Sequence, residues 1–124
     1  MSQPLALVLY EKLTPGSQLV NRLQDIHYRV HPFSDPADLV SLSSEERPLV
    51  VFADSEIVGR DVPGAIRELR KLPAIAHIPV IVFGDSFAKK AVDDFQRAGA
   101  TLTVSNAAVL AHLPQLLEQA LRVD

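Results

Sequence analysis

Asp54 closes an apolar run, PLVVFAD at positions 48–54. A carboxylate at the end of a buried strand costs free energy unless it is bonded or used. Two readings of it follow. It caps backbone N–H groups of the next loop, or it is a nucleophile or metal ligand. A second place for chemistry is the stretch Lys12-Leu13-Thr14-Pro15-Gly16-Ser17, which follows the first apolar run and opens a helix. Free N–H groups at such a point can cradle a phosphate. Pro15 removes one donor, however, and no Walker or dinucleotide pattern accompanies it. His27, His31, His77 and His112 have no metal-ligand spacing. Without cysteine, a thiol nucleophile, a disulfide framework and a thiolate metal site are all excluded. No Ser/His/Asp set with workable placement is present.

The elements that must position these residues are five short apolar runs alternating with helix-like stretches. The runs are Pro4 to Tyr10, Tyr28 to Phe33, Pro48 to Asp54, Ile78 to Gly84, and Thr101 to Ser105. The first, third and fourth are apolar on both alternations, as strands covered on both faces must be. The second and fifth are more polar and read as edges. Helix one starts at Thr14-Pro15 and carries Leu19, Val20, Leu23 and Ile26 on one stripe. Helix two opens at Asp35-Pro36 and runs to about Leu42. Helix three opens at Asp61 and buries Ile66 and Leu69. Helix four starts near Asp85 or Ser86, buries Ala88, Val92 and Phe95, and stops at Gly99. Helix five carries Leu113, Leu116, Leu117, Ala120 and Leu121, with Pro114 in its first turn or at a kink.

Strands alternating with helices predict a single α/β domain over 1–124, a doubly wound parallel sheet with helices on both faces. Edge polarity gives the order 2-1-3-4-5. Ligands of such sheets sit outside the carboxyl ends of the strands where the order reverses. That rim gathers Tyr10, Glu11, Asp54, Gly84 and the Ser105–Asn106 turn.

Composition narrows the function. Twelve basic and 15 acidic residues leave a net charge of −3, so no basic field points to nucleic acid. Seven aromatics without Trp leave few surfaces on which to stack bases or flavins. No apolar run is long enough to span a membrane. The first ten residues lack a secretory signal's positive flank and cleavage site, so the expected location is the cytoplasm.

The whole chain resembles the receiver domain of bacterial response regulators, the CheY-like, flavodoxin-like family. The segment LVVFADSEIVGRDVPGAIRELRKLPAIAHIPVIVFG is similar to the receiver stretch from third to fourth strand, without a gap. Asp54 falls on the phosphoacceptor, Val58-Gly59 on the usual Pro-Gly, Asp61 on the helix-three cap, and Ala98-Gly99-Ala100 on the Ala-Gly-Ala before strand five. The resemblance implies phosphoryl transfer from a partner histidine kinase to Asp54, with Mg²⁺ screening the phosphoryl oxygens. Its metal ligands here would be Glu11, Asp54 and Glu56.

The chain departs from the family pattern elsewhere. The acid pair is Tyr10-Glu11, the hydroxyl position is Gly84, the lysine position is Asn106 and the aromatic-switch position is Thr103. A charge-assisted contact to phosphate contributes about 1.5–3 kcal/mol, so these losses favour a silent site. The expectation is a degenerate two-component signalling domain, not an enzyme in the ordinary sense, acting through contact with another protein chain. A working phosphoacceptor using Asp54 and Mg²⁺ is the alternative within the class. A flavodoxin-like binder of a phosphate-bearing ligand at Thr14–Ser17 is the alternative outside it. In receivers the face of helix four, strand five and helix five commonly binds a partner or a second copy. By that resemblance Lys89, Lys90, Gln96, Arg97, Thr101, Gln115 and Gln119 would form the contact face, and the doublets Lys89-Lys90 and Asp93-Asp94 otherwise read as a solvated face.

Overall fold

β1 (Leu5–Leu9), β3 (Val50–Asp54) and β4 (Val80–Gly84) are buried along their whole length, because each is covered on both faces. The computed structural model describes residues 3–57, 59–85 and 89–122. Two edge strands complete the sheet: β2 (Arg29–Phe33) and β5 (Leu102–Ser105), both only partly buried. All neighbours are parallel and the order is β2-β1-β3-β4-β5, the order expected from edge polarity. Pro32, which cannot donate to a ladder, sits on edge strand β2.

Alternate residues of the central strands feed two cores. Leu5, Leu7, Leu9, Val51, Ala53, Val80 and Val82 face α2 (Leu39–Glu46), α3 (Val62–Lys71) and α4 (Lys89–Ala98), through Leu39, Ile66, Leu69 and Phe95. Ala6, Val8, Val50, Phe52, Ile81 and Phe83 face α1 (Leu13–Asp25), α5 (Asn106–Ala111) and α6 (Leu113–Leu121), through Leu19, Leu23, Val109, Leu113 and Leu117. Phe52 and Phe83 are the largest of the fully buried side chains in the second core. Burying each contributes up to about 3 kcal/mol of transfer free energy.

Several boundaries differ from the sequence expectation, each for a local reason. Ile26 caps the end of α1 and is 36% exposed, so the helix-one stripe ends at Leu23. Asp35 starts a 3-10 turn, Pro36–Asp38, accepting from the Ala37 N–H at 3.0 Å. α2 follows that turn and continues past Leu42 to Glu46, where Arg47 ends it in the left-handed region at φ 48°. Helix five is two helices, α5 and α6, broken at His112. Pro114 has no N–H to continue the ladder, and it occupies the first turn of α6 instead. Val92 is only partly buried, whereas Phe95 is buried as expected. The expected start of helix four, with Ser86 and Ala88, lies outside the described residues, as does Val58 of the Val58-Gly59 pair.

Candidate functional site

The register fixes which residues meet at the carboxyl rim. Leu9 pairs with Ala53, Asp54 with Phe83, and Gly84 with Ser105. Ends of β1, β3, β4 and β5 therefore share one edge, and Tyr10, Glu11, Asp54, Gly84 and Asn106 all follow or close these ends. The Ser55 N–H donates to the Phe83 carbonyl at 2.8 Å, extending the β3–β4 pairing past Asp54.

Asp54 is 7% exposed. One carboxylate oxygen, Oδ1, accepts from the Glu56 N–H at 3.0 Å, an Asx-type turn that fixes the loop after β3. Burial pushes its carboxyl pKa up. The Glu56 N–H bond and the positive charge of Lys12 pull it down, while the charges of Glu56 and Asp85 push it up. Asp54 thus caps the loop after β3, the first of the two sequence readings, and it stands in a charged rim. Glu56 contributes its backbone N–H, and its side chain is exposed.

The hydroxyl and lysine positions are filled differently from the family pattern. Gly84 is buried with no side chain to offer, and Asp85 follows it. Asn106 begins α5 and its Nδ2 donates to Asp85 Oδ1, tying the end of β4 to the end of β5. The Asn106 Oδ1 is buried and has no hydrogen-bond partner among the described residues. Ser105 caps α5, its Oγ accepting from the Ala108 N–H at 3.0 Å. Thr103 pairs with Val82 in the ladder and is partly buried.

Tyr10 stands where the first acid of the family pair would be. Its N–H donates to the Phe33 carbonyl at 3.0 Å. Its ring lies against Gly16, leaving no room there for even a Cβ. Pro15 and Gly16 are buried beneath it, and the Ser17 hydroxyl donates back to the Leu13 carbonyl at 2.8 Å. The Thr14–Ser17 loop, read above as a possible phosphate cradle, is thus filled by Tyr10 and by its own hydrogen bonds. Glu11 and Lys12 are exposed. Among the described residues no group of three His, Asp or Glu side chains is placed to hold a metal ion. Glu11 and Glu56 are exposed and Asp54 is buried, so the three carboxylates named above share the rim without forming a three-carboxylate cage.

Sequence reading placed Asp85 only at a helix start and Lys12 only in the loop after β1, and it missed Arg70. Asp85 follows an apolar strand just as Asp54 does, and that symmetry was a legible signal. Lys12 follows Glu11, and its positive charge pulls the Asp54 carboxyl pKa down. Arg70 lies on the apolar stripe of α3, four residues after Ile66 and one after Leu69. It donates to the carbonyls of Gly99 (3.0 Å), Ala76 (2.7 Å) and Ile78 (2.6 Å), and at 3.4 Å to Thr101 Oγ1. Burial pushes its guanidinium pKa down.

Of the expected contact-face residues, Lys89, Lys90, Gln96 and Arg97 are exposed on α4, and Gln115 and Gln119 on α6. Asp93 and Asp94, expected on a solvated face of the same helix, are partly buried. Thr101 is exposed as a residue, yet its hydroxyl is committed to the fold, accepting from the Val80 N–H at 3.0 Å. A groove of about 480 Å³ lies elsewhere, between the Pro36 turn and α3, lined by Asp35, Val40, Arg60, Asp61 and Ala65 among others.

No family model matches the chain. No curated protein matches it in sequence either. Solved structures do match. The receiver domain of a sensor histidine kinase from Pseudomonas aeruginosa, solved with a magnesium ion coordinated in its active-site cleft, superposes with a TM-score of 0.86 at 18% identity, over 97% of this chain and 98% of that one. Chemotaxis protein CheY4 of Vibrio cholerae gives 0.85 at 14% identity, over 96% and 99%. The receiver domain of a histidine kinase from Syntrophus aciditrophicus gives 0.78 at 20% identity, over 98% and 95%. The chain has the CheY-like receiver fold, a flavodoxin-type five-stranded parallel sheet wrapped by helices on both faces.

Proposed function

We propose that this chain is a receiver-type signalling module of a two-component or phosphorelay-like pathway that works by protein–protein contact without phosphorylation of Asp54. One observation carries this reading: the groups that would receive a phosphoryl are replaced by an Asp85–Asn106 hydrogen bond. A phosphoryl group on Asp54 would meet no hydroxyl from Gly84 and no cation from Asn106. It would meet the charges of Asp85 and Glu56 instead, and like charges in a partly desolvated rim repel strongly. Removing even one charge-assisted phosphate contact costs about 1.5–3 kcal/mol. The retained Asp54 serves as a cap on the loop after β3.

The partner is a signalling protein, a histidine kinase or a downstream protein, and the surface that meets it is the exposed face of α4, β5 and α6. A second copy of the chain docking on the same face is the homodimer form of this reading. No helix among the described residues is long and apolar enough to cross a membrane. The proposed place of work is the cytoplasm, where such pathways deliver their signal. In this reading the module signals by contact and is not an enzyme in the ordinary sense.

The test is incubation with acetyl phosphate and Mg²⁺ followed by intact-mass spectrometry. The expected result is an unchanged mass. A gain of one phosphoryl group, absent from Asp54→Asn, would establish the working phosphoacceptor instead.

A further inference from the structure

We infer that this chain associates with itself head to tail: Leu13 and the acidic carboxyl rim of one copy dock on an apolar, basic-edged pocket at the opposite end of the sheet of the next. The inference goes beyond the function proposed above, because it concerns the two ends of the sheet and not its α4–β5 flank. The pocket lies where β3 and β4 begin. The Leu49 N–H donates to the Leu5 carbonyl at 2.8 Å and the Val51 N–H to the Pro79 carbonyl at 2.9 Å, which sets Leu49 beside Ile78 and Pro79. Leu121, the last residue of α6, closes another side. The space enclosed is about 300 Å³. Its lining is apolar except for His77 and Arg122, both exposed, and no acid lines it among the described residues. Leu49 itself is 43% exposed.

The two ends of the sheet are complementary in charge and in shape. Arg47, Lys71, His77 and Arg122 lie at the pocket end, in or beside the segments that enter strands or leave helices. Helix C-termini favour cations there. Two acids at this end are already engaged: Glu46 bonds to His31 at 2.7 Å, and Glu118 approaches Arg122 at 3.9 Å. The second pair is exposed and loose, and leaves guanidinium donors free. The carboxyl rim has the opposite sign, with Glu11, Asp35, Glu56 and Asp85. It also carries Leu13, which at 71% is the most exposed large hydrophobic side chain among the described residues. Leu13 begins α1 two residues after Glu11, so an apolar knob and a carboxylate leave the same turn. Lys12 lies between them, and Glu118 offers it an acid on the pocket side. Burying Leu13 against Leu49, Ile78, Pro79 and Leu121 removes apolar surface of both copies from water. Acids of the rim then meet Arg122 and His77. Both halves of the contact stand on one chain, which makes a second copy the occupant. Because they lie at opposite ends of that chain, the contact is heterologous and does not close on a dimer.

Sedimentation velocity of the whole chain tests this, with Leu13→Asp as the knob variant and Leu49→Asp as the pocket variant. Both side chains are exposed, and melting curves followed by circular dichroism check that each variant keeps the fold. The wild type should gain mass with concentration between about 10 µM and 1 mM and pass beyond the dimer. Each variant alone should associate at least about tenfold more weakly, as the loss of one buried leucine requires. An equimolar mixture of the two should regain the wild-type affinity and stop at a dimer, since it holds one intact knob and one intact pocket. Arg122→Glu alters the basic edge without touching the apolar walls, and should weaken association as well. A wild type that stays monomeric leaves the pocket to a different occupant and overturns the inference. So does a wild type that stops at the dimer, or a mixture of folded variants that stays monomeric. Full association of Arg122→Glu overturns it too. Association undiminished in both Leu13→Asp and Leu49→Asp places the second copy on another face, that of α4, β5 and α6 included, and is equally fatal.

Discussion

Replacing Arg70 by Met should destabilise the chain by about 2–4 kcal/mol while keeping an apolar stem of similar length. The guanidinium joins three segments: the last turn of α3, the approach to β4 at Ala76 and Ile78, and the α4–β5 turn at Gly99 and Thr101. Three of its bonds fall between 2.6 and 3.0 Å. A bond from a charged donor contributes about 1.5–3 kcal/mol, but three on one head group do not add fully. The head is also only partly buried, so freed carbonyls recover some water. These reductions bring the expected loss to about 2–4 kcal/mol, or about 8–16 °C in Tm for a domain of this size. Arg70→Lys keeps the charge but loses the planar fork, and should fall between the two. Urea unfolding measures the loss. Hydrogen exchange should show faster opening of the Gly99–Leu102 amides, next to the exposed Arg97 on the proposed contact face. A loss below about 1 kcal/mol, with exchange unchanged, would refute the view of Arg70 as the staple of this side of the fold.

Asp54→Asn should raise Tm at pH 7. Burial raises the folded-state pKa of Asp54, so the folded chain holds this proton more tightly than the unfolded chain. The group's contribution is therefore most favourable below its unfolded pKa and is lost as pH rises through the folded value. Asparagine removes that loss and can still accept from the Glu56 N–H. Thermal melts from about pH 4 to 8 should show the variant's advantage growing with pH, and a constant offset would contradict the sign. Gly16→Ala should cost about 1–3 kcal/mol, since its new methyl meets the Tyr10 ring. In a double-mutant cycle Tyr10→Ala should relieve part of that cost, whereas strict additivity would show that the ring is not the obstacle.

The sheet was legible in the sequence because its three inner strands are apolar on both faces and its two edges are not. That contrast alone orders the strands, and the order puts the loops after β1 and β3 on one rim. Caps were legible too: Asp35 and Asp61 both accept from backbone N–H groups as their positions predict. The α5–α6 break was half legible, since Pro114 announced a kink but not that a separate six-residue helix precedes it. The rim was harder to read. Sequence spacing assigns positions, whereas pairing between side chains depends on how far each reaches. Asn106 appeared only as a missing lysine, yet it bonds to Asp85 across the β4–β5 gap. Tyr10 appeared as a missing acid, yet its ring seals Gly16. Arg70 hid on an apolar stripe because long side chains bury their stems and carry their charge to distant carbonyls.

The central claim is that the Asp54 rim cannot hold a phosphoryl group, because an Asp85–Asn106 bond stands where its ligands would be. Titration with beryllofluoride and Mg²⁺, followed through the NMR resonances of Glu56, Asp85 and Asn106, tests it most directly. The account predicts resonances that stay in place for the wild type. Saturable movement of the Asp85 and Asn106 signals, abolished by Asp54→Asn, would contradict it.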